Sequence, residues 1–121
     1  MRSRESEEMY LETILVIKNR KGIVHSVDIV EELNYAKSSV SRGVNLLVQK
    51  GYITMDHTGE LNFTEKGKAK ADNIYDRHQV LTKCLEIMGV EPKPAEENAC
   101  RIEHVISEDV FETIKNYVKS E

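Results

Sequence analysis

Apolar residues recur along the chain in six helical registers and one short alternating stretch, with breaks at glycine, proline and asparagine. Tyr10, Ile14 and Ile17 are spaced to pack, which predicts a first helix from about Glu5 to Arg20. Lys18, Arg20 and Lys21 lie at its C-terminal end, where the helix dipole favours cations, and Gly22 stops it. Ser26 is placed to cap a short second helix, with Asp28 in the first turn and Ile29, Val30 and Leu33 as the apolar face. Asn34 and Tyr35 break that register. In a third helix Val40, Val44 and Leu47 point inward, Ser38, Ser39, Ser41, Arg42, Asn45 and Gln49 point outward, and Gly51 ends it. Tyr52 to Met55 is β-branched and aromatic, the next five residues are turn formers, and Leu61 to Thr64 alternates again, which predicts a hairpin. From Ser26 to Phe63, two helices followed by a hairpin read as a winged helix-turn-helix.

Thr64 then caps a long helix, with Glu65 in its first turn, that continues to Met88 before Gly89, Pro92 and Pro94. Ala71, Ile74, His78, Leu81, Leu85 and Met88 form a seam expected to face another helix throughout, with Cys84 beside it as a small buried hydrophobe. Pro94 opens the next helix. Its Ala99, Ile102 and Ile106 make a face suited to a symmetry mate, and Ser107 caps a last helix from Glu108 to about Lys119, with Asp109 in its first turn. The fold class is therefore mainly α. An N-terminal winged helix-turn-helix domain, residues 1–70, is followed by a helical dimerisation domain, residues 71–121, and a homodimer through the helices of residues 94–119 is expected.

Composition narrows the function without changing this outline. The 121 residues allow one domain or two small pieces, and no apolar run approaches the ~18 residues of a membrane span. The Arg- and Glu-rich N-terminus lacks the apolar core of a signal peptide, and two cysteines make no disulfide framework, so a cytoplasmic protein with no membrane partner is expected. The chain carries a net charge of −4, but Tyr35 to Met55 holds three basic and no acidic residues. Residues 1–85 carry 13 basic and 12 acidic side chains and residues 86–121 carry 4 and 9, so the C-terminal third is expected to face away from DNA.

The outer face of the third helix has the chemistry of a groove reader, since hydroxyls, an amide and an arginine bond phosphates and base edges, whereas a merely solvated helix pairs Glu with Lys. The DNA-contact candidates are Lys37, Ser38, Ser39, Ser41 and Arg42, with Ser26. A winged helix used for protein interaction is the bland alternative. Cys100, Glu103 and His104 stand at i, i+3 and i+4, so a thiolate, a carboxylate and an imidazole project from one helical face, three kinds of metal ligand. His78, in the inward seam, adds a further donor, although a lone histidine on an apolar face is usually a satisfied core residue. Met9 and Glu12 are neighbours on the first helix, where a methionine is ordinarily core. Two rival functions follow: a metal-independent winged-helix regulator sensing an organic ligand, with His78 and Glu103 as a buried polar pair, and a small metalloenzyme. The second lacks a recognisable substrate pocket, positioned base or oxyanion hole.

Taken together, Glu8-Met9-Tyr10-Leu11, Lys37-Ser-Ser-Val-Ser-Arg42, the run from Leu61 to Gly67, Arg77-His78 and above all Ala99-Cys-Arg-Ile-Glu-His-Val-Ile-Ser107 resemble the metal-dependent repressors of the diphtheria toxin repressor and manganese transport regulator family. The resemblance covers essentially the whole chain, in the short form without an SH3-like third domain. It implies a transcriptional repressor, not an enzyme, in which a divalent metal switches on operator binding. It also implies Met9, Cys100, Glu103 and His104 as ligands of the activating site, with His78 at a ligand position. Glu12 matches a ligand of the manganese type, whereas Met9 and Cys100 match the iron type. Thr82 and Glu96 replace a glutamate and a histidine of the iron type's second site.

With ligands on the first helix, the long helix and the Cys100 helix, a bound cation ties the reading domain to the dimer core. It so sets the separation of two reading helices for a palindromic double-stranded operator. The soft thioether and thiolate favour iron(II), with manganese(II), supported by the hard oxygen of Glu12, as the runner-up.

Overall fold

The computed structural model describes residues 3–121, with side chains from Ser6 onward. Along the described residues the elements are α1 (Ser3–Lys21), α2 (Ser26–Leu33), α3 (Lys37–Gln49), β1 (Ile53–Met55), β2 (Leu61–Phe63), α4 (Glu65–Ile87), α5 (Pro92–Ile102) and α6 (Glu108–Ser120). The chain is mainly α, with a winged helix-turn-helix followed by helices, as its sequence pattern predicts. Its contacts divide it into two units, one ending at Asp72 and the other running from Asn73 to Glu121.

In the first unit, Leu11, Ile14 and Ile17 of α1, Ile29 of α2, and Val40, Val44 and Leu47 of α3 are fully buried with Val24, Ile53 and Leu61. Each such aliphatic side chain contributes about 1.5–3 kcal/mol relative to exposure, so this cluster is the main support of the three-helix arrangement. Gly22, at φ +86°, ends α1. Ser26 does not cap α2. His25 occupies the N-cap in an extended conformation, and its backbone N–H donates to Asp28 Oδ2 at 2.8 Å. Asp28 Oδ1 accepts from Lys21 Nζ at 2.6 Å. A carboxylate that gains a backbone donor and a cation sets the cap one residue before the hydroxyl that local pattern favours. Asn34 ends α2 in the left-handed region, φ 56°, where a short polar side chain is tolerated.

A Cβ at Gly43 would collide with the Tyr10 ring, so this glycine is what lets α3 lie against α1. The wing is antiparallel in the register Ile53↔Phe63, Thr54↔Asn62, Met55↔Leu61. Its base is fastened twice: the Leu61 N–H donates to the Val24 carbonyl at 2.8 Å, and Lys18 Nζ donates to the Leu61 carbonyl at 3.2 Å and to Asn62 Oδ1 at 2.8 Å. At the tip, Asp56 Oδ1 accepts from the Thr58 and Glu60 backbone N–H groups. Thr64 caps α4 as expected, accepting from the Gly67 N–H at 3.1 Å while donating to the Gly51 carbonyl at 2.6 Å.

In the second unit Ile74, Leu81, Ala95, Ala99 and Phe111 are buried. The α4 seam fades at its end: Leu85 and Cys84 are half-buried and Met88 is 69% exposed, beyond the end of the helix at Ile87. Cys84 is thus not the buried hydrophobe expected. The helix stops where Gly89 takes φ +105°. α5 begins at Pro92, two residues before Pro94, because both prolines fit a first turn whose N–H groups have no helical acceptor. Ala99 is fully buried by its own chain, so it is not free to meet a symmetry mate, while Ile102 and Ile106 are half-buried. The exposed large apolar side chains of this unit are Met88, Val105, Val110 and Tyr117. Ser107 caps α6 as predicted, accepting from the Val110 N–H at 3.3 Å.

Candidate functional site

Two sets of polar residues stand apart from the core, one in each unit. In the first unit, burial of Val40, Val44 and Leu47 turns the opposite face of α3 to solvent, with Lys37, Ser38, Ser41, Arg42, Asn45 and Gln49 exposed. Ser39 is half-buried, and its carbonyl accepts from the Tyr10 hydroxyl at 3.4 Å. Ser26 is half-buried at the first position of α2. The first turn of α3 contains no acidic residue and its cap, Ala36, makes no side-chain hydrogen bond. That N-terminus therefore keeps its positive end and its backbone donors directed at solvent. A helix so equipped can hold phosphate at its start and reach base edges along its face.

The candidate ligands of the first unit, Met9 and Glu12, lie three residues apart on α1 and are both half-buried. Met9 is not simply core: its Sδ accepts from the Tyr35 hydroxyl at 3.7 Å, and its carbonyl accepts from Thr13 Oγ1 at 2.7 Å.

The second unit brings together His78, Glu103 and His104. Glu103 is 1% exposed, an unusual position for a carboxylate, and occupies the C-cap of α5 in helical geometry. His78 reaches it from α4, with Nδ1 2.9 Å from Glu103 Oε2. His104 Nε2 stands 3.3 Å from Glu103 Oε1, and that buried oxygen accepts no hydrogen bond. Cys100 differs from this group: it is exposed, and it borders an open hollow with His78, Glu96, Glu97 and Arg101. The three donors expected on one face are thus graded from buried Glu103 to exposed Cys100. The reason is that Glu103 keeps helical geometry and continues the buried stripe of Ala95 and Ala99 at i+8 and i+4, while Cys100 lies off that stripe on the outer side of the helix.

A buried carboxylate with an unsatisfied oxygen is costly unless a charge or donor meets it. An imidazole–carboxylate–imidazole set is a common grouping for a divalent transition metal, so the residues present fit such an ion. Two further residues neighbour the candidate ligands, Tyr35 at Met9 and Arg77 at Glu103. Tyr35 carries no local signal. Arg77 does: it stands at i+3 from Ile74 and i−4 from Leu81, hence on the inward side of α4, and its burial was legible from that spacing.

Comparison with known proteins follows the same two halves. The family model described as the iron dependent repressor N-terminal DNA binding domain matches residues 4–61. That of the iron dependent repressor metal binding and dimerisation domain matches residues 64–120. An uncharacterized HTH-type transcriptional regulator of Methanocaldococcus jannaschii is 32% identical over 117 residues, 95% of this chain and 94% of that one. The iron-dependent repressor IdeR of Mycobacterium tuberculosis is 31% identical over 107 residues, 88% of this chain and 46% of its own. Among solved structures, the manganese regulator SloR superposes with a TM-score of 0.82 at 22% identity, over 95% of this chain and 54% of that one. The metal-dependent transcriptional regulator MtsR gives 0.86 at 20%, over 95% and 54%. This chain spans about half the length of IdeR, SloR and MtsR.

Proposed function

The chain belongs to the iron-dependent repressor family, and from that premise we propose that it is a transcriptional repressor whose homodimer binds double-stranded DNA when a divalent metal is bound. The observation that carries the metal half of this reading is Glu103. It is a buried carboxylate held by His78 on one oxygen, with His104 3.3 Å from the other, which accepts no hydrogen bond. A divalent ion offsets the charge of such a carboxylate, and it needs the carboxylate ionised and both ligating imidazoles neutral.

The ligand set is Met9, Glu12, His78, Cys100, Glu103 and His104. The DNA-competent arrangement is one member of an existing ensemble, which metal selects by binding it more tightly. Lys37, Ser38, Ser39, Ser41, Arg42 and Ser26 contact the operator, which is palindromic because a two-fold dimer presents two equivalent reading helices. Fe²⁺ is the favoured ion, since a thioether and a thiolate soften the site, and Mn²⁺ the second choice, for which Glu12 supplies a hard oxygen. The repressor acts in the cytoplasm, where the DNA and the metal pool are found, and no helix of the described residues is long and apolar enough to cross a membrane.

The test is anaerobic fluorescence anisotropy with a palindromic operator selected from random DNA, titrated with metal-free protein, with chelator, and with Fe²⁺, Mn²⁺, Co²⁺ and Zn²⁺ in turn. Tight binding that requires a metal and is lost with chelator is expected. Equal affinity with and without chelator would remove the metal switch. The His78–Glu103 pair would then be what a metal-independent regulator carries for its own stability.

A further inference from the structure

We propose that Arg77 is a positioning residue of the metal site, holding the main chain of residues 103–106 so that Glu103 and His104 are preset for a cation. This rests on the reading of Glu103 and His104 as ligands. Arg77 is 8% exposed on α4. Nη1 donates to the carbonyls of Glu103 at 3.1 Å and Ile106 at 3.2 Å, and Nη2 donates to Glu108 Oε2 at 2.6 Å. The guanidinium lies over the Phe111 ring, with Cζ 5.3 Å from its centroid.

The geometry has a clear chemical cause. α5 ends at Ile102 and α6 begins at Glu108, so the Glu103 and Ile106 carbonyls between them have no helical partner and need another donor. One guanidinium supplies it for both, and its charge meets the negative end of the α5 dipole. The next residue on α4, His78, takes Glu103 Oε2. Two consecutive residues of one helix therefore grip Glu103, one by its main chain and the other by its side chain. Arg77 Nε is buried without a hydrogen-bond partner, so the guanidinium is oriented by the turn it holds and not by satisfaction of all its own donors. Glu108 compensates the charge, so the guanidinium has its own carboxylate partner besides the main chain it holds. A lysine could supply the charge but not the planar fork.

Cobalt(II) is the probe, titrated anaerobically and followed by its visible d–d bands, with amide hydrogen exchange of the metal-free protein as a second readout. Arg77→Lys is expected to lose at least tenfold in cobalt affinity, to alter the band positions, and to speed exchange at the Val105 and Ile106 amides at least tenfold before any metal is added. If Arg77→Lys does not fold, Glu108→Gln keeps the arginine but releases Nη2, and a three- to tenfold loss of cobalt affinity is expected. A folded Arg77→Lys with parental cobalt affinity, bands and exchange overturns the proposal, as does parental cobalt affinity in Glu108→Gln when Arg77→Lys cannot be studied. So does a lower thermal midpoint with cobalt binding unchanged, which is what a merely structural arginine gives. Glu103→Gln and His104→Ala are the control. If they bind cobalt as the parent does, the ligand reading itself is wrong. If they lose cobalt and Arg77→Lys does not, only the positioning role fails.

Discussion

At the scale of single residues, the legible features were those whose partners are a turn away. Thr64 and Ser107 were readable as caps because an N-cap bonds within three residues, and Gly51 because a helix end needs φ > 0, here +81°. Ser26 failed because the competing cap depends on Lys21, outside the helix, which makes Asp28 the better anchor. Asp28→Asn is accordingly expected to cost about 1 kcal/mol at neutral pH, read from urea unfolding. The hydrogen bond from Lys21, that from the His25 N–H and the charge of Lys21 together hold the Asp28 carboxyl below its ordinary value. A depressed folded pKa contributes stability that is present above the unfolded value and lost as pH falls through the folded one. The gap between parent and Asp28→Asn should therefore close as the medium is acidified from about pH 5 to pH 2. A gap unchanged at pH 2 would show that the carboxylate charge is irrelevant to the cap. Gly67 had no sequence signal beyond the family run, since only the fold brings the Tyr52 carbonyl against its Cα. Gly67→Ala must displace either the wing base or the first turn of α4, and a loss of about 1–3 kcal/mol is expected from the overpacking alone. A denaturation midpoint equal to the parent's would contradict that close approach.

Elements were legible where the apolar stripe is narrow and its partner is close in sequence. Val40, Val44 and Leu47 predicted the inward face of α3 correctly, and with it the outward face that carries Lys37 and Arg42. In α1, Leu11 and Leu15 are buried as well as the predicted stripe, because both α2 and α3 pack against this helix. The α4 seam was over-read at Leu85 and Met88, since a heptad spacing states which residues share a face but not how far a neighbour extends. The outward face of α3 leads to two separable expectations. Arg42→Ala should cost about 1–3 kcal/mol of operator affinity and relax selectivity at one base position, if the guanidinium reads a base edge. Lys37→Ala, at the first position of α3, should weaken all sequences alike and reduce the slope of log affinity against log salt by about one unit. Operator titrations at several salt concentrations, on matched and mismatched DNA, separate the two. Parental affinity in both variants would remove α3 from the groove.

For the whole molecule, what the sequence could not reveal is proximity between distant residues: 25 positions separate His78 from Glu103, and only the fold places their side chains 2.9 Å apart. The i, i+1 neighbours Glu103 and His104 were readable as donors, and the burial of the carboxylate follows the α5 register, since Glu103 stands four residues after the buried Ala99 and eight after the buried Ala95. A repressor whose operator binding is switched on by a metal is expected to couple metal and DNA binding in both directions. If metal raises operator affinity by some factor, operator DNA must raise metal affinity by the same factor, typically about 5- to 150-fold for allosteric pairs. The first quantity is measured by anisotropy at zero and saturating Mn²⁺, the second by Mn²⁺ titration with and without a saturating operator duplex. Unequal factors would mean that metal acts by another route, for example by changing the dimerisation equilibrium at assay concentrations. The same paired titrations address metal choice. Replacing soft donors by hard ones, Met9→Asp together with Cys100→Glu, should move the preferred activator from Fe²⁺ towards Mn²⁺, because carboxylates suit manganese while thiolate and thioether favour softer ions. The exposure of Cys100 makes anaerobic handling essential, since an accessible cysteine is open to oxidation. If the double variant keeps the parent's ranking of ions, the two sulfurs do not set the preference, and selection rests on the oxygen and nitrogen donors of Glu12, His78, Glu103 and His104.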